Sequence, residues 1–440
     1  MMQLSEKFFS FLFLLIPLFL ITGPALPDIV ISVGLIFGVI YFFYLREYSE
    51  LVKINFFRIS IFFWLSLIFI SFFSYNKTNS FQDAIIFVRF LFIPILCYFI
   101  FFKKRELFKQ ILLVITIVVI FVCIDSFYQF LNYTPENGFG KDLLGFKSNW
   151  YGRLTGPFGD ELIPGSYISK FGLLGFAFII SIKKFENKIF FHSIYLSSIL
   201  FISFISGERM AFATFGLGLI FLFLFLNGFR KSIFLSIIIG FFFIFLAVYL
   251  HPSYNDFKIV ESTQYHQGQK IEKFFNCINE KEKICSKIID IQPSFYEIIK
   301  NFKTSAYGEI YLLSFKMFLD NPVTGIGINN FKFLCNNNNV YQNMMVHYEC
   351  ASHPHNIYIQ WLTEGGLLVF MLFIIYLVFL IFFLKNNTGE KKYKIISIAV
   401  IIIMFWPIMS TGSLIKNWFG IIIFFIIGLC MCLSKFRNNP

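Results

Sequence analysis

The sequence predicts an all-α polytopic membrane protein of about 12 transmembrane helices, with a large extracytoplasmic loop domain between helices 9 and 10. Three observations carry that prediction. The 440 residues are 57% hydrophobic and only 14% charged, with a mean hydropathy of +0.72, far from the roughly 25% charged profile of soluble domains. The apolar residues form continuous runs rather than alternating, which favours helices, because an open sheet cannot satisfy its backbone in lipid. Lysine and arginine recur in every second connection, as the positive-inside rule requires of cytoplasmic loops. These features exclude a cytosolic enzyme, a disordered chain and a disulfide-dense secreted scaffold. The formal charge of +12 sits mainly in short loops, where it orients helices; it does not point to nucleic acid.

Five runs fill residues 1–131: Phe8–Ile21, Ile29–Leu45, Ile59–Phe73, Ala84–Phe102 and Phe108–Leu131. Lys7 before the first resembles a signal peptide, but no small-x-small cleavage site follows, so the run is kept as a span. After an outer loop at 132–165, four more occupy 166–250: Ser166–Ile182, Ile189–Ser206, Ala211–Asn227 and Ser232–Leu250. The last three, Leu362–Leu384, Tyr393–Ser410 and Trp418–Leu433, lie within 362–440. Alternation from a cytoplasmic N-terminus puts the basic connections, such as Lys103-Lys104-Arg105 and Lys183-Lys184, inside, with both termini cytoplasmic. Residues 251–361 break the pattern of short connections. That segment holds ten Lys against ten Asp plus Glu and no Arg, so export is not opposed by charge, and it reads as a folded extracytoplasmic domain. It contains Cys277, Cys285, Cys335 and Cys350, which can pair as Cys277–Cys285 and Cys335–Cys350, although four cysteines allow three connectivities and free thiols remain an alternative.

Charged residues within spans are costly and point to function. Arg89, Asp125 and Lys170 lie near the outer ends of their runs, Arg209 follows the turn Ser206-Gly207-Glu208, and Arg153, Asp160 and Glu161 lie in the first outer loop. Snorkelling accounts equally well for Arg89 and Lys170 taken singly. Taken together, three of only eight arginines stand on the side that the orientation rule disfavours, and a guanidinium fork suits phosphate oxygens. An anionic headgroup or lipid-linked phosphate is the natural ligand. A second cluster, Ser352-His353-Pro354-His355-Asn356, opens the tenth run. Asn356 reads as an N-cap, which sets His355 at the positive end of a helix, where imidazole is biased toward its neutral, basic form. No second Cys/His pair stands at metal-ligand spacing, so no metal is expected. An amphipathic helix at Glu309–Asp320 precedes Gly325-Ile-Gly327-Ile-Asn329-Asn330, whose glycines predict a tight turn with exposed amides. Without a Walker loop or an Asp-x-Asp motif, neither ATP nor a nucleotide sugar is expected as cofactor or direct donor.

The pattern resembles the O-antigen ligase and polymerase superfamily of bacterial membrane glycosyltransferases. Arg153-Leu-Thr-Gly156 is similar to that family's Arg-x-Thr-Gly segment, and Ser206-Gly-Glu-Arg209 to its Ser/Thr-Gly-Ser-Arg turn. Asp320-Asn-Pro322-x-x-Gly325-x-Gly327 to Phe331, His355-Asn356 with nine residues before Gly366, and Phe405-Trp-Pro407 through Trp418 complete the likeness. Glu208 replaces a small residue of the family, Gly308-Glu309 stands where many members have arginine, and Val369 stands where ligases often have glycine. The resemblance implies transfer of a glycan from an undecaprenyl-diphosphate carrier, at the periplasmic face of the inner membrane, with inversion and no metal. It implies His355 as the base that deprotonates an acceptor hydroxyl and Arg209 as the diphosphate ligand. Arg153, Arg89, Lys170, His353, Asn356, Gly325, Gly327 and Asn330 become candidate substrate contacts. Lipid A-core is the expected acceptor. A polymerase acting on lipid-linked chains and an oligosaccharyltransferase using a protein hydroxyl share the chemistry. A transporter or flippase would instead place charges near the midplane in two related halves.

Overall fold

The computed structural model describes residues 2–45, 54–102, 104–134, 138–148, 152–255, 257–266, 269–277, 285–291, 299–408 and 410–437. Helices coincide with every apolar run read above: α1 (Met2–Phe19), α2 (Ala25–Leu45), α3 (Asn55–Ser71), α4 (Lys77–Ile86), α5 (Val88–Phe102), α6 (Arg105–Leu131), α7 (Pro164–Ser181), α8 (Ile189–Ile205), α9 (Arg209–Phe225) and α10 (Arg230–Leu250). The long segment then adds α11 (Ala306–Asp320) and α12 (Phe331–Asn337), and the chain finishes with α13 (Ile357–Asn386), α14 (Lys391–Met404) and α15 (Asn417–Leu433). Among the described residues, the stretches Lys77–Phe101, Arg105–Leu131, Asn227–Leu250 and Ile357–Asn386 have the length and hydropathy to cross a bilayer, and several shorter helices are equally apolar. The protein is a multi-pass membrane protein. Phe234, Phe241, Phe242 and Phe245 of α10 are all exposed, an apolar surface that only lipid or another apolar partner covers favourably.

α15 is the centre of the bundle. Every residue from Phe419 to Leu433 is buried, the signature of a helix that is apolar all round. Its Gly428 lies so close to α5 that an added Cβ would stand 2.5 Å from Cys97 Cβ and 2.9 Å from Pro94 Cα, the close backbone approach that small residues permit between membrane helices. Trp361 of α13 is fully buried and meets Phe63 and Phe87 edge-on, with ring centroids 5.3 and 5.8 Å apart.

Several helices start four to six residues before the expected run, among them Met2–Phe19, Asn55–Ser71 and Ile357–Asn386, and two further boundaries differ for a visible reason. The fourth span begins earlier, because polar α4 joins α5 through a single turn at Phe87, capped by Asn76 Oδ1 accepting from Asn79 N at 3.2 Å. The eleventh ends at Met404 instead of Ser410, since Pro407 disfavours helix in the residue before it; residues 405–408 and 410–416 form a strap without regular helix. The long segment between α10 and α11 carries an antiparallel sheet the sequence did not announce: β3 (Phe257–His266), β4 (Gln269–Cys277) and β5 (Cys285–Ile291) in that order, after a two-stranded ribbon earlier in the chain, β1 (Tyr133–Thr134) and β2 (Gly138–Phe139). The register sets Cys277 opposite Cys285; the expected bridge between them concerns side chains outside the described residues. Cys335 and Cys350 form the other expected disulfide. It closes a hairpin over a separate small core of Ile310, Leu313, Met317, Phe331 and Leu334.

Candidate active site

The histidine cluster is assembled by three elements: the turn before α13, the start of α11 and the strap between α14 and α15. Asn356 caps α13 as the sequence predicts, its Oδ1 accepting from Tyr358 N at 2.9 Å and Ile359 N at 3.1 Å. Its Nδ2 donates to Pro407 O at 2.8 Å, tying the cap to the strap. The strap returns the tie: Thr411 N donates to His355 O at 2.7 Å, and His353 Nε2 lies 3.2 Å from Thr411 O. Ser352 Oγ stands 2.9 Å from His353 Nδ1. Both ring nitrogens of His353 are therefore occupied, with Nε2–H donating to the carbonyl and Nδ1 accepting the hydroxyl proton, which is the neutral tautomer.

His355 differs from His353. It is one of two non-glycine residues with positive φ among the described residues, at 54°, and its half-buried imidazole has no hydrogen-bond partner among them. The ring stacks on His353 at a centroid distance of 4.1 Å and meets Tyr307 edge-on at 6.1 Å. Burial, and then the neighbouring His353, lower the His355 pKa to about 4. Tyr307 is set by Ser410 Oγ, which donates to its hydroxyl at 3.0 Å. Burial, then Tyr307, push the Tyr311 hydroxyl up to about 12. Lys416, exposed at the end of the strap, adds its charge to the burial that lowers His353. The sequence reading missed Tyr307, Tyr311 and Lys416; only their proximity in space, across more than 40 residues of chain, marks them.

The glycine turn has a different part from the one expected. Gly366 breaks α13 at φ 62°, ψ −168°, and the turn after α11 docks into the break. Ile326 N donates to Thr363 O at 3.1 Å and Gly327 N to Glu364 O at 2.9 Å; in return Leu367 N donates to Pro322 O at 2.8 Å and Leu368 N to Val323 O at 3.3 Å. Gly325 N itself donates to Asn321 O at 3.0 Å. The amides of Gly325 and Gly327 are thus engaged internally, which corrects the expectation that they face a ligand. Buried Asn330 is a further joint: Nδ2 donates to Ser74 Oγ at 2.9 Å and Ile328 O at 2.8 Å, while Oδ1 accepts from Asn76 N at 2.8 Å. Two motifs far apart in sequence, the Pro-x-x-Gly-x-Gly stretch and His-Asn-x9-Gly, are one joint in space.

The arginine cluster is built around buried Gln129, whose Oε1 accepts from Thr155 N at 3.0 Å and Gly156 N at 2.9 Å. This fixes the Arg153-Leu-Thr-Gly156 segment, and Leu154 N then donates to Ser206 O at 3.2 Å, bringing it against the turn that begins α9. Arg153 Nη2 donates to Leu162 O at 3.1 Å. Glu208 stands immediately before Arg209 and accepts from Ser166 N at 3.1 Å. Burial pushes its carboxyl up, while Arg153 and then Lys170 pull it back. Lys170 is buried, bonded to Ser166 and 5.8 Å over the Phe419 ring. Phe419 also faces Gly412 of the strap, whose added Cβ would stand 2.9 Å from its ring, so this strap and the head of α15 connect the arginine cluster to the histidines. Arg89 also joins the head of α15, through Asn417. It pairs with Asp28 at 2.8 Å and donates to Asn417 Oδ1 at 2.5 Å. Asp125 accepts the Leu143 amide at 3.0 Å, a tie to its own loop.

An apolar helical bundle that carries a half-buried histidine in the turn before α13 defines the class. Residues 193–374 match the family model described as O-Antigen ligase, a span that contains Arg209, the glycine turn, His355 and Gly366. The matched residues, fewer than half of the chain, are similar to that family, which supports a membrane glycosyltransferase of the O-antigen ligase or polymerase type with a lipid-linked glycan and an acceptor as partners in general terms. No curated protein matches the chain.

Proposed function

We propose that the protein is an O-antigen ligase that moves a glycan from an undecaprenyl-diphosphate carrier to a hydroxyl of lipid A-core at the periplasmic face of the bacterial inner membrane. Twelve crossings with both termini cytoplasmic, as the basic loops indicate, give the 251–361 segment that location. The observation that carries the chemistry is the half-buried His355 imidazole, unpartnered among the described residues and kept neutral by burial and by His353. It accepts the acceptor hydroxyl's proton; the freed oxygen bonds to the anomeric carbon while the bond to the diphosphate breaks, and the diphosphate leaves with the electron pair. Arg209 neutralises that leaving group, with Arg153 and Lys170 behind it. A pKa of about 4 makes His355 by itself a weak base, whereas efficient proton transfer favours a pKa near the working pH. A bound diphosphate supplies the correction, because a nearby anion raises an imidazole pKa. His353, Asn356, Gly325, Gly327 and Asn330 position the base, and Arg89 positions α15. A polymerase acting on lipid-linked chains, or a protein O-oligosaccharyltransferase, uses the same groups. Gene deletion separates the first two: bare core with accumulated lipid-linked polymer supports the ligase, and core bearing one repeat unit supports the polymerase.

A further inference from the structure

The outer segment carries a second concavity, which the transfer step does not use. A cleft of about 390 Å³ is walled by Lys332 and Asn336 of α12, Gln342 of the next turn, and Tyr348 and Glu349 beside Cys350. That volume lies within the range of small-molecule sites, but the lining departs from their usual apolar character. Beside the apolar Met345 side chain and the disulfide at Cys350, it presents two amides, one phenol and one charge of each sign.

The asparagine run 336–339 explains part of it. Asn337 Nδ2 donates to Phe333 O at 2.7 Å and Asn338 Oδ1 accepts from Val340 N at 2.9 Å, so these two serve the local turns. The side-chain amides of Asn336 and Gln342 make no hydrogen bond among the described residues and line the cleft instead. Each amide offers two donors and an acceptor, which complements vicinal hydroxyls, while a tyrosine ring offers a flat apolar face beside a polar tip. Lys332 balances Glu349, which disfavours a phosphate or an anionic lipid as occupant. The walls are fixed: the Cys335–Cys350 disulfide joins both sides, and Tyr341 OH donates to Asp320 Oδ2 at 2.7 Å. Rigid walls of this kind reduce the ordering cost of binding.

We infer that this cleft is an accessory saccharide-binding site that holds the glycan at a distance from the reacting bond. Tyr348 precedes His355 by seven residues, which limits their separation to roughly 25 Å along a fully extended chain, a span that a few sugar units cover. The inference rests on the proposed transfer for the identity of the glycan and deepens it. The sugar comes either from the donor polymer or from the acceptor core.

The test uses the full-length protein in detergent micelles and saturation-transfer NMR with two probes: the glycan freed from its carrier by mild acid, and the delipidated core oligosaccharide. One of them is expected to show saturation transfer with wild type and with His355→Ala alike, and that one identifies the source. The double variant Asn336→Ala, Gln342→Ala is expected to weaken binding roughly tenfold, the scale of two neutral hydrogen bonds, and Tyr348→Ala to do the same at unchanged melting temperature. Undiminished signal in both variants, or no signal from either probe with wild type, overturns the inference. The catalytic reading fails separately: a wild-type protein that binds the glycan through the cleft and transfers none supports the cleft and refutes only the chemistry.

Discussion

Replacing Gly366 by alanine strikes the joint on which the histidine turn depends. At φ 62°, ψ −168° the residue occupies backbone space essentially restricted to glycine, where another residue costs about 1–3 kcal/mol. An added Cβ would lie 2.4 Å from Val323 O and 2.5 Å from Gly325 N, both backbone atoms, so the docked turn has to move. Four hydrogen bonds hold it there; losing half of them at about 1 kcal/mol each brings the total to about 3–5 kcal/mol. Thermal unfolding of the purified protein in detergent, run beside a transfer assay, measures this. Gly216→Ala is the control, since nothing lies within 4 Å of its added Cβ and a mid-helix glycine to alanine change is neutral to stabilising. Gly366→Ala is expected to melt well below wild type and to lose transfer, with Gly216→Ala like wild type. Wild-type melting and transfer in Gly366→Ala would refute the reasoning.

The pH dependence follows from His355. Its folded pKa of about 4 lies below the ordinary value near 6.5, so the imidazole is neutral above both, and its contribution to stability is lost as pH falls from about 6.5 to about 4. The acid limb of kcat/KM is therefore expected near pH 4 and to move upward in His353→Asn; a limb near 6.5 in wild type contradicts this. Asn356→Ala removes a two-bond cap and the tie to Pro407. It should cost about 0.5–2 kcal/mol in thermal unfolding, with Asn356→Asp closer to wild type because it keeps the cap. Arg89→Ala removes the positive charge beside Asp28, whose carboxylate then keeps only the hydrogen bond from Asn417 Nδ2 at 3.1 Å, so Asp28→Ala added to it should recover melting temperature and transfer; failure to recover transfer would mean that Arg89 contacts substrate. Cys335→Ser, which opens a loop with sequence separation 15, should cost the outer segment about 3 kcal/mol. Faster limited proteolysis of residues 331–350, with the apolar helices intact, is the readout.

The apolar helices were legible because lipid imposes continuous runs, and the cap at Asn356 because its side chain competes for amides of its own helix. Cys335–Cys350 was legible as a pairing of near neighbours. The sheet at 257–291 was not: its strands carry mixed polar residues without a clean alternation. The end of α14 was misplaced because Ile401 to Ser410 remains apolar up to Pro407, and the proline determines the stop rather than hydropathy. At the candidate site, the residue types were readable and their partners were not. Nothing local to Gly325 says that its amide faces Asn321, or that the turn docks on a helix broken 41 residues later at Gly366. Long-range closure of this kind leaves no periodic trace. Gln129 and Lys416 were overlooked for the same reason, as each acquires its meaning from a segment distant in sequence.

Single-turnover transfer from purified polyprenyl-diphosphate-linked glycan to lipid A-core, comparing wild type with His355→Ala at matched thermal stability, tests the account most directly. Loss of a general base should lower the rate by roughly 10²–10⁴-fold while leaving the protein folded in its micelle. A His355→Ala protein that transfers glycan at the wild-type rate would contradict the account.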